Sequence, residues 1–171
     1  MKSETYIISL CMGLLIAGCS NETENIQERK TSSVEASDFS LEVSAPATVE
    51  AGESMQVQAV LTYRGNEDID LYHGEPIVRM SYSGEEGANE YNDIGIQSTL
   101  QPGGKMKAKK TFDVKKSGTQ HVSASTTSLK VDGEYIEGKG KEEAVTDDMG
   151  EIPKNAAQSE LVVDPIEIET K

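Results

Sequence analysis

Two histidines, two cysteines and many serines and threonines are the residues of this chain able to do covalent or proton-transfer chemistry. A nucleophile needs an adjacent base to activate it. His73 stands before Gly74-Glu75-Pro76 and reads as a turn residue, whereas His121 lies in a Ser/Thr-rich stretch and reads as a surface or cross-strand residue. No serine sits in a Gly-x-Ser-x-Gly elbow, the turn that exposes a nucleophile. Two histidines outside a His-Glu-x-x-His pattern do not make a zinc site. Two acidic loops, Glu85, Glu86, Glu90 and Asp93 in one and Asp147, Asp148 and Glu151 in the other, offer oxygens of the kind calcium takes. Neither has the alternating Asp-x-Asp-x-Asp-Gly spacing, and both read as solvated loops. The expectation is a protein that is not an enzyme, with no cofactor and no resident metal.

The strongest electrostatic contrast is a group of lysines in an acidic chain. Lys105, Lys107 and Lys109 recur with period two, so a strand would put all three on one face, and Lys110, Lys115 and Lys116 lie nearby. Such a stripe suits an anionic partner, a wall polymer or an acidic protein. It equally suits a strand at the edge of a sheet, where lysines discourage pairing with another chain.

The first cysteine, Cys11, lies inside an apolar run from Tyr6 to Gly18, preceded by Lys2. A sparse basic segment followed by a short apolar one is the order of a secretory signal. At about 13 residues the run is too short to span a bilayer, which takes about 20. It closes on Ile16-Ala17-Gly18-Cys19. This resembles the lipobox of bacterial lipoproteins: an aliphatic residue, a small residue, Gly or Ala, then Cys. The resemblance implies cleavage between Gly18 and Cys19, removal of residues 1–18, and a diacylglyceryl group on the Cys19 thiol. It also implies attachment to the cell membrane through that lipid, facing outside the cytoplasm. Further acylation, such as palmitate, would make the anchor stable, because one chain alone holds a protein only marginally.

Removing residues 1–18 leaves 153 residues and, since one Lys and one Glu go with them, an unchanged net charge of −14. With Cys11 discarded and Cys19 acylated, no disulfide remains, and the domain must be held by its core. The acidity argues against nucleic acid, whose phosphates need basic surface, and favours a soluble, self-repelling monomer. Residues 19–37 are polar and without sustained apolar periodicity, and read as the lipidated cysteine followed by a flexible linker.

From residue 38 to 171 the dominant period is two. Phe39, Leu41 and Val43 alternate with Ser40, Glu42 and Ser44. Met55, Val57, Ala59 and Leu61 alternate with polar or smaller neighbours, and Val78, Met80 and Tyr82 share a register. Met106, Ala108, Phe112 and Val114 share another, Asp132-Gly133 predicts a hairpin, and Leu161, Val163, Ile166 and Ile168 close the chain. Turn signals recur about every 8–12 residues. The fold expected is an all-β immunoglobulin-like antiparallel β-sandwich of about seven to nine strands, with a polar insertion at 138–158.

Three stretches, Ala51-Gly52-Glu53-Ser54, Leu71-Tyr72-His73-Gly74-Glu75-Pro76 and Leu100-Gln101-Pro102-Gly103-Gly104 with the later Ser117-Gly118-Thr119-Gln120-His121-Val122, are similar in order to the intracellular proteinase inhibitor family of bacilli and its exported relatives. That resemblance implies an alternative, an exported inhibitor whose loop at 83–92 or 138–158 enters a protease cleft. A further alternative is an accessory or sensor lipoprotein of a membrane complex. The function expected first is a non-catalytic binding or structural domain on a lipid tether.

Overall fold

The computed structural model describes residues 27–85, 94–138, 146–147, 150–151 and 159–171. The segment expected to be a signal, with Gly18 and Cys19, lies outside the described residues, as do most of the expected insertion and most of the two acidic loops.

The described residues form fourteen strands and no helix. The first sheet runs β1 (Arg29–Ala36), β2 (Phe39–Pro46), β4 (Ser54–Tyr63), β8 (Lys105–Asp113). The second runs β3 (Thr48–Val49), β14 (Ile166–Thr170), β9 (Gly118–Thr126), β6 (Val78–Tyr82). A third runs β11 (Glu134–Tyr135), β10 (Lys130–Val131), β5 (Ile69–Glu75), β7 (Ile94–Leu100). Two-residue strands β12 (Thr146–Asp147) and β13 (Gly150–Glu151) pair with each other inside the insertion. Nine of the strands have five or more residues, and every pairing but one is antiparallel. The all-β sandwich expected from the sequence is the fold.

The alternation explains the layers. On β4 the odd-numbered residues from Met55 to Tyr63 are buried, while Gln56 is exposed and Gln58, Val60 and Thr62 are half-covered. On β2 Phe39, Leu41, Val43 and Ala45 point the same way. Facing them from the second sheet are Val78, Met80, Tyr82, Val122, Ala124, Ile166 and Ile168, in one continuous cluster. The third sheet adds Ile69, Leu71 and Leu100 to that cluster. Each such side chain, fully buried, is worth roughly 1.5–3 kcal/mol. Pro46 has no N–H to give the ladder, so β2 ends there and the chain crosses to the opposite sheet. There β3 lies parallel to β14, the one parallel pairing.

The structure corrects the linker. Residues 29–36 are not part of a tether: they form β1, paired along its whole length with β2 from Arg29↔Pro46 to Ala36↔Phe39. The domain therefore begins before residue 38. β1 is an outer strand held by the backbone ladder, and only Val34 and Ala36 pack against the core. Its side chains therefore give little apolar period. It is also clamped: Arg29 Nη2 donates to the carbonyls of Ser44 (2.9 Å) and Gln56 (3.1 Å), and Lys30 Nζ reaches the Glu167 carbonyl of the second sheet (2.8 Å).

The strand at Ile69–Glu75 also runs through a stretch whose sequence suggests a turn. β5 runs through His73 and Gly74 to Glu75, and His73 is a buried strand residue, not a turn residue. The hairpin at Asp132-Gly133 forms as expected, with φ of 51° and 90° at its two central residues.

Tyr82 meets the Phe112 ring across the sandwich at 5.7 Å between centroids. Its hydroxyl is buried and has no hydrogen-bond partner among the described residues. A buried unpaired hydroxyl costs about 1–3 kcal/mol. Tyr82→Phe should therefore stabilise the protein by about 1 kcal/mol, read as a rise in the denaturation midpoint with unchanged slope. Burial also pushes the Tyr82 pKa above the ordinary tyrosine value. The unfolded chain then ionises first. Stability is full below about pH 10 and falls as pH rises beyond it, less steeply in Tyr82→Phe.

Candidate functional site

Two places on the surface gather unusual chemistry. The first is the outer face of the first sheet, where β8 is an edge strand and Lys105, Lys107 and Lys109 are all exposed on one side. Successive lysines are about 6.8 Å apart, two strand residues. Their neighbours across β4 are Thr62, Val60 and Gln58, none of them charged. Among the described residues no ion pair engages the three lysines, and the acids nearest in register are two and three strands away, at Glu42 and Glu35. Glu35 is bound to Arg64 at 2.6 Å.

Lys110, grouped with these lysines by sequence, does something else. It points inward, its Nζ donating to the Met80 carbonyl (3.2 Å), 3.6 Å from Glu85 and 4.6 Å from the centre of the Phe112 ring. It bridges the open side between β8 and β6. An inward charge beside outward lysines is how an edge strand is kept from pairing further.

The second place is a cleft of about 320 Å³ where β5, β7 and β10 meet β6 of the second sheet. Sequence reading missed it. Direct pairings put Gln97, Tyr72, Lys130 and Tyr135 in one row across the third sheet, and paired residues share a face. In the next row Gly74 pairs with Gly95; the Thr127 side chain covers Gly74, and Gly95 is open. Arg79, Thr127 and Ser128 also line the cleft. Tyr72 is 40% exposed, one of three large hydrophobic residues so exposed among those described. Lys130 Nζ sits 4.3 Å from the centre of the Tyr135 ring, a cation–π contact.

The two glycines differ. A Cβ at Gly74 would lie 2.9 Å from Thr127 Cγ2, and the Gly74 N–H donates to Thr127 Oγ1 at 2.9 Å, so that position admits only glycine without movement. A Cβ at Gly95 would meet nothing within 4 Å.

His73 borders the cleft but is fully engaged. A carbonyl can only accept, so Nδ1–H donates to Gly74 O (2.8 Å), and Nε2 accepts from the Ser98 hydroxyl (3.0 Å). His121 is exposed on β9 opposite Glu167, the cross-strand position expected of it. Among the described residues no group of three or more His, Cys, Asp or Glu is placed to hold a metal.

No family model matches this chain, and no curated protein matches it. Solved structures do resemble it. The CARDB domain of the PF1109 protein from Pyrococcus furiosus, crystallised in complex with di-metal ions, is 14% identical over 80% of this chain and 90% of that one, with a TM-score of 0.41. A solution structure of the same domain gives 14% and 0.38. A β-glucosidase from Listeria innocua is 15% identical over 77% of this chain, with a TM-score of 0.34, and this chain spans 16% of its length. These are likenesses of strand arrangement and bring no residue to either site.

Proposed function

We propose that this protein is a lipoprotein held on the outer side of the cell membrane by the lipid on Cys19, displaying a non-catalytic binding domain. The observation that carries the reading is Ile16-Ala17-Gly18-Cys19 closing a short apolar run. The non-catalytic part rests on the sequence, in which no serine stands in a Gly-x-Ser-x-Gly elbow. The exposed column of Lys105, Lys107 and Lys109 is the surface offered to an anionic partner.

The early start of the domain changes the expected display. Only residues 20–26 separate Cys19 from Gln27, whose amide nitrogen donates to the Thr48 carbonyl at 2.7 Å. Covalent geometry limits the reach from Cys19 to Gln27 to about 30 Å, and the domain stays near the membrane. Lys109 lies in register with Thr31, and Lys105 with Glu35, so the lysine column runs away from the tethered end of β1.

The test is labelling. The full chain should incorporate labelled fatty acid and partition into detergent. Cys19→Ser should abolish both, whereas Cys11→Ser should leave them intact. Equal labelling of the two variants would overturn the lipoprotein reading.

A further inference from the structure

The lysine column of β8 fixes a spacing as well as a sign. β8 is paired to β4 without a break from Ser54↔Asp113 to Thr62↔Lys105, so Lys105, Lys107 and Lys109 are held in line at about 6.8 Å intervals. Acids on the same face stand back from that line. Glu42 is two strands from Lys107, about 10 Å, and Glu35 three strands from Lys105. Asp113, four residues beyond Lys109, accepts from the Ser54 hydroxyl (3.4 Å). At physiological salt charges are screened over about 8 Å, so the column acts locally in spite of the acidic chain around it.

A two-residue step of strand is six covalent bonds of extended chain, and a flexible polyanion with six backbone bonds between charges reaches the same spacing, about 7 Å. A glycerol phosphate polymer has that count: P–O, O–C, two C–C, C–O and O–P. Two other polyanions share it and fit this surface less well. An acidic peptide with a carboxylate at every second residue satisfies its own N–H and C=O groups by joining a sheet edge. Lys110, pointing inward with its Nζ on the Met80 carbonyl (3.2 Å), closes the side of β8 where such a strand would add. A single-stranded nucleic acid binds through aromatic platforms for its bases. Among the described residues the outer face of the first sheet has no aromatic side chain: Phe39, Tyr63 and Phe112 all face the core. A polyol phosphate needs neither a ladder nor a platform. Beside the column, Thr62 offers a hydroxyl opposite Lys105 and Gln58 an amide opposite Lys109 to the free hydroxyl of each glycerol unit.

We propose that the column binds a linear polyol phosphate with six backbone bonds per phosphodiester, laid along β8 with successive phosphates on Lys105, Lys107 and Lys109. This names the partner class of the surface proposed above and rests on that reading of it.

The full chain in nonionic detergent micelles is titrated calorimetrically with a hexamer of glycerol phosphate. Binding should saturate, and the logarithm of its constant should fall against the logarithm of salt with a slope of about −2, about 0.7 for each of the lysines engaged. Lys105→Gln/Lys107→Gln/Lys109→Gln should abolish binding and leave the urea midpoint in place, since the three are exposed. A second variant exchanges two residues that face each other. Lys107→Val/Val60→Lys keeps charge and composition but moves the middle ammonium about 4.8 Å sideways, next to Glu42. It should weaken binding at least about fivefold and reduce the salt slope by about a third. Hexagalacturonate, whose charges recur at a shorter interval, and an alternating Thr-Glu peptide of equal charge should each bind at least about fivefold more weakly than the hexamer. A thymidylate oligomer of equal charge should bind no more tightly than the hexamer. Binding indifferent to the exchange, or hexagalacturonate or the peptide binding as well as the hexamer, would overturn the polyol phosphate. Tighter binding of thymidylate would make the partner a nucleic acid. In each of those cases the column remains a surface for anions if the triple variant abolishes the binding. Silence with all four probes would overturn that surface as well, and none of these results bears on the labelling of Cys19.

Discussion

A chain shortened to begin at Asp38 is expected to self-associate and to lose about 2–4 kcal/mol of stability, from the broken β1 ladder and the uncovered Val34 and Ala36 contacts. The first sheet has two natural edges, and both are charged. β1 carries Arg29, Lys30 and Glu35, and β8 carries its lysines. Removing β1 makes β2 the new edge. β2 reads Phe-Ser-Leu-Glu-Val-Ser-Ala-Pro, with one charge in eight residues and an apolar alternation. A long, nearly uncharged edge with unpaired N–H and C=O groups is a template for pairing with a second copy. Sedimentation should show concentration-dependent association of the shortened chain, whereas a chain begun at Gln27 stays monomeric. A shortened chain that is monomeric and equally stable would make β1 a dispensable appendage.

That prediction turns on the part of the fold hardest to read beforehand. β4 was legible because its two faces have different solvents: Met55, Val57, Ala59 and Leu61 enter the core and Gln56 meets water. β1 has no such contrast. Its hairpin turn is Ser37-Asp38, with Ser37 at a φ of 49°, in place of the Asn-Gly or Asp-Gly that marks such turns. The Asp132-Gly133 turn does carry that mark, and it was found. His73-Gly74-Glu75-Pro76 looks like a break because glycine and proline punctuate strands locally. Gly74 is instead required by Thr127, 53 residues on, and no local pattern reports so distant a neighbour.

The lysine column and the cleft divide in the same way. Lys105, Lys107 and Lys109 belong to one strand, so their common face follows from the period of two. The separation of Lys110 also follows from parity, since it shares the register of Met106, Ala108 and Phe112. The cleft is assembled from strands far apart in the chain, with Tyr72 opposite Lys130 and Gly74 opposite Gly95. The only traces in the sequence are two glycines in weakly patterned strands and a tyrosine out of step with Leu71.

Phe112→Ala should cost about 3–5 kcal/mol, and Lys109→Ala, three residues away on the opposite face, less than about 0.5 kcal/mol. Phe112 is fully buried on an edge strand, opposite Met55 in the ladder and against the Tyr82 ring across the sandwich. It is the large inward side chain that closes the β8–β6 side of the core. Truncation leaves a cavity that those neighbours fill only in part, because β8 is paired on one side to β4 and cannot shift without breaking that ladder. It also strips Lys110 of the ring beneath its ammonium group, loosening the bridge to the Met80 carbonyl. Phe112→Leu keeps most of the volume and should lose less than half as much as alanine. Urea denaturation of the three variants measures the contrast. A loss below about 1 kcal/mol for Phe112→Ala would mean that this side of the sandwich is held by the backbone ladder rather than by the packed rings.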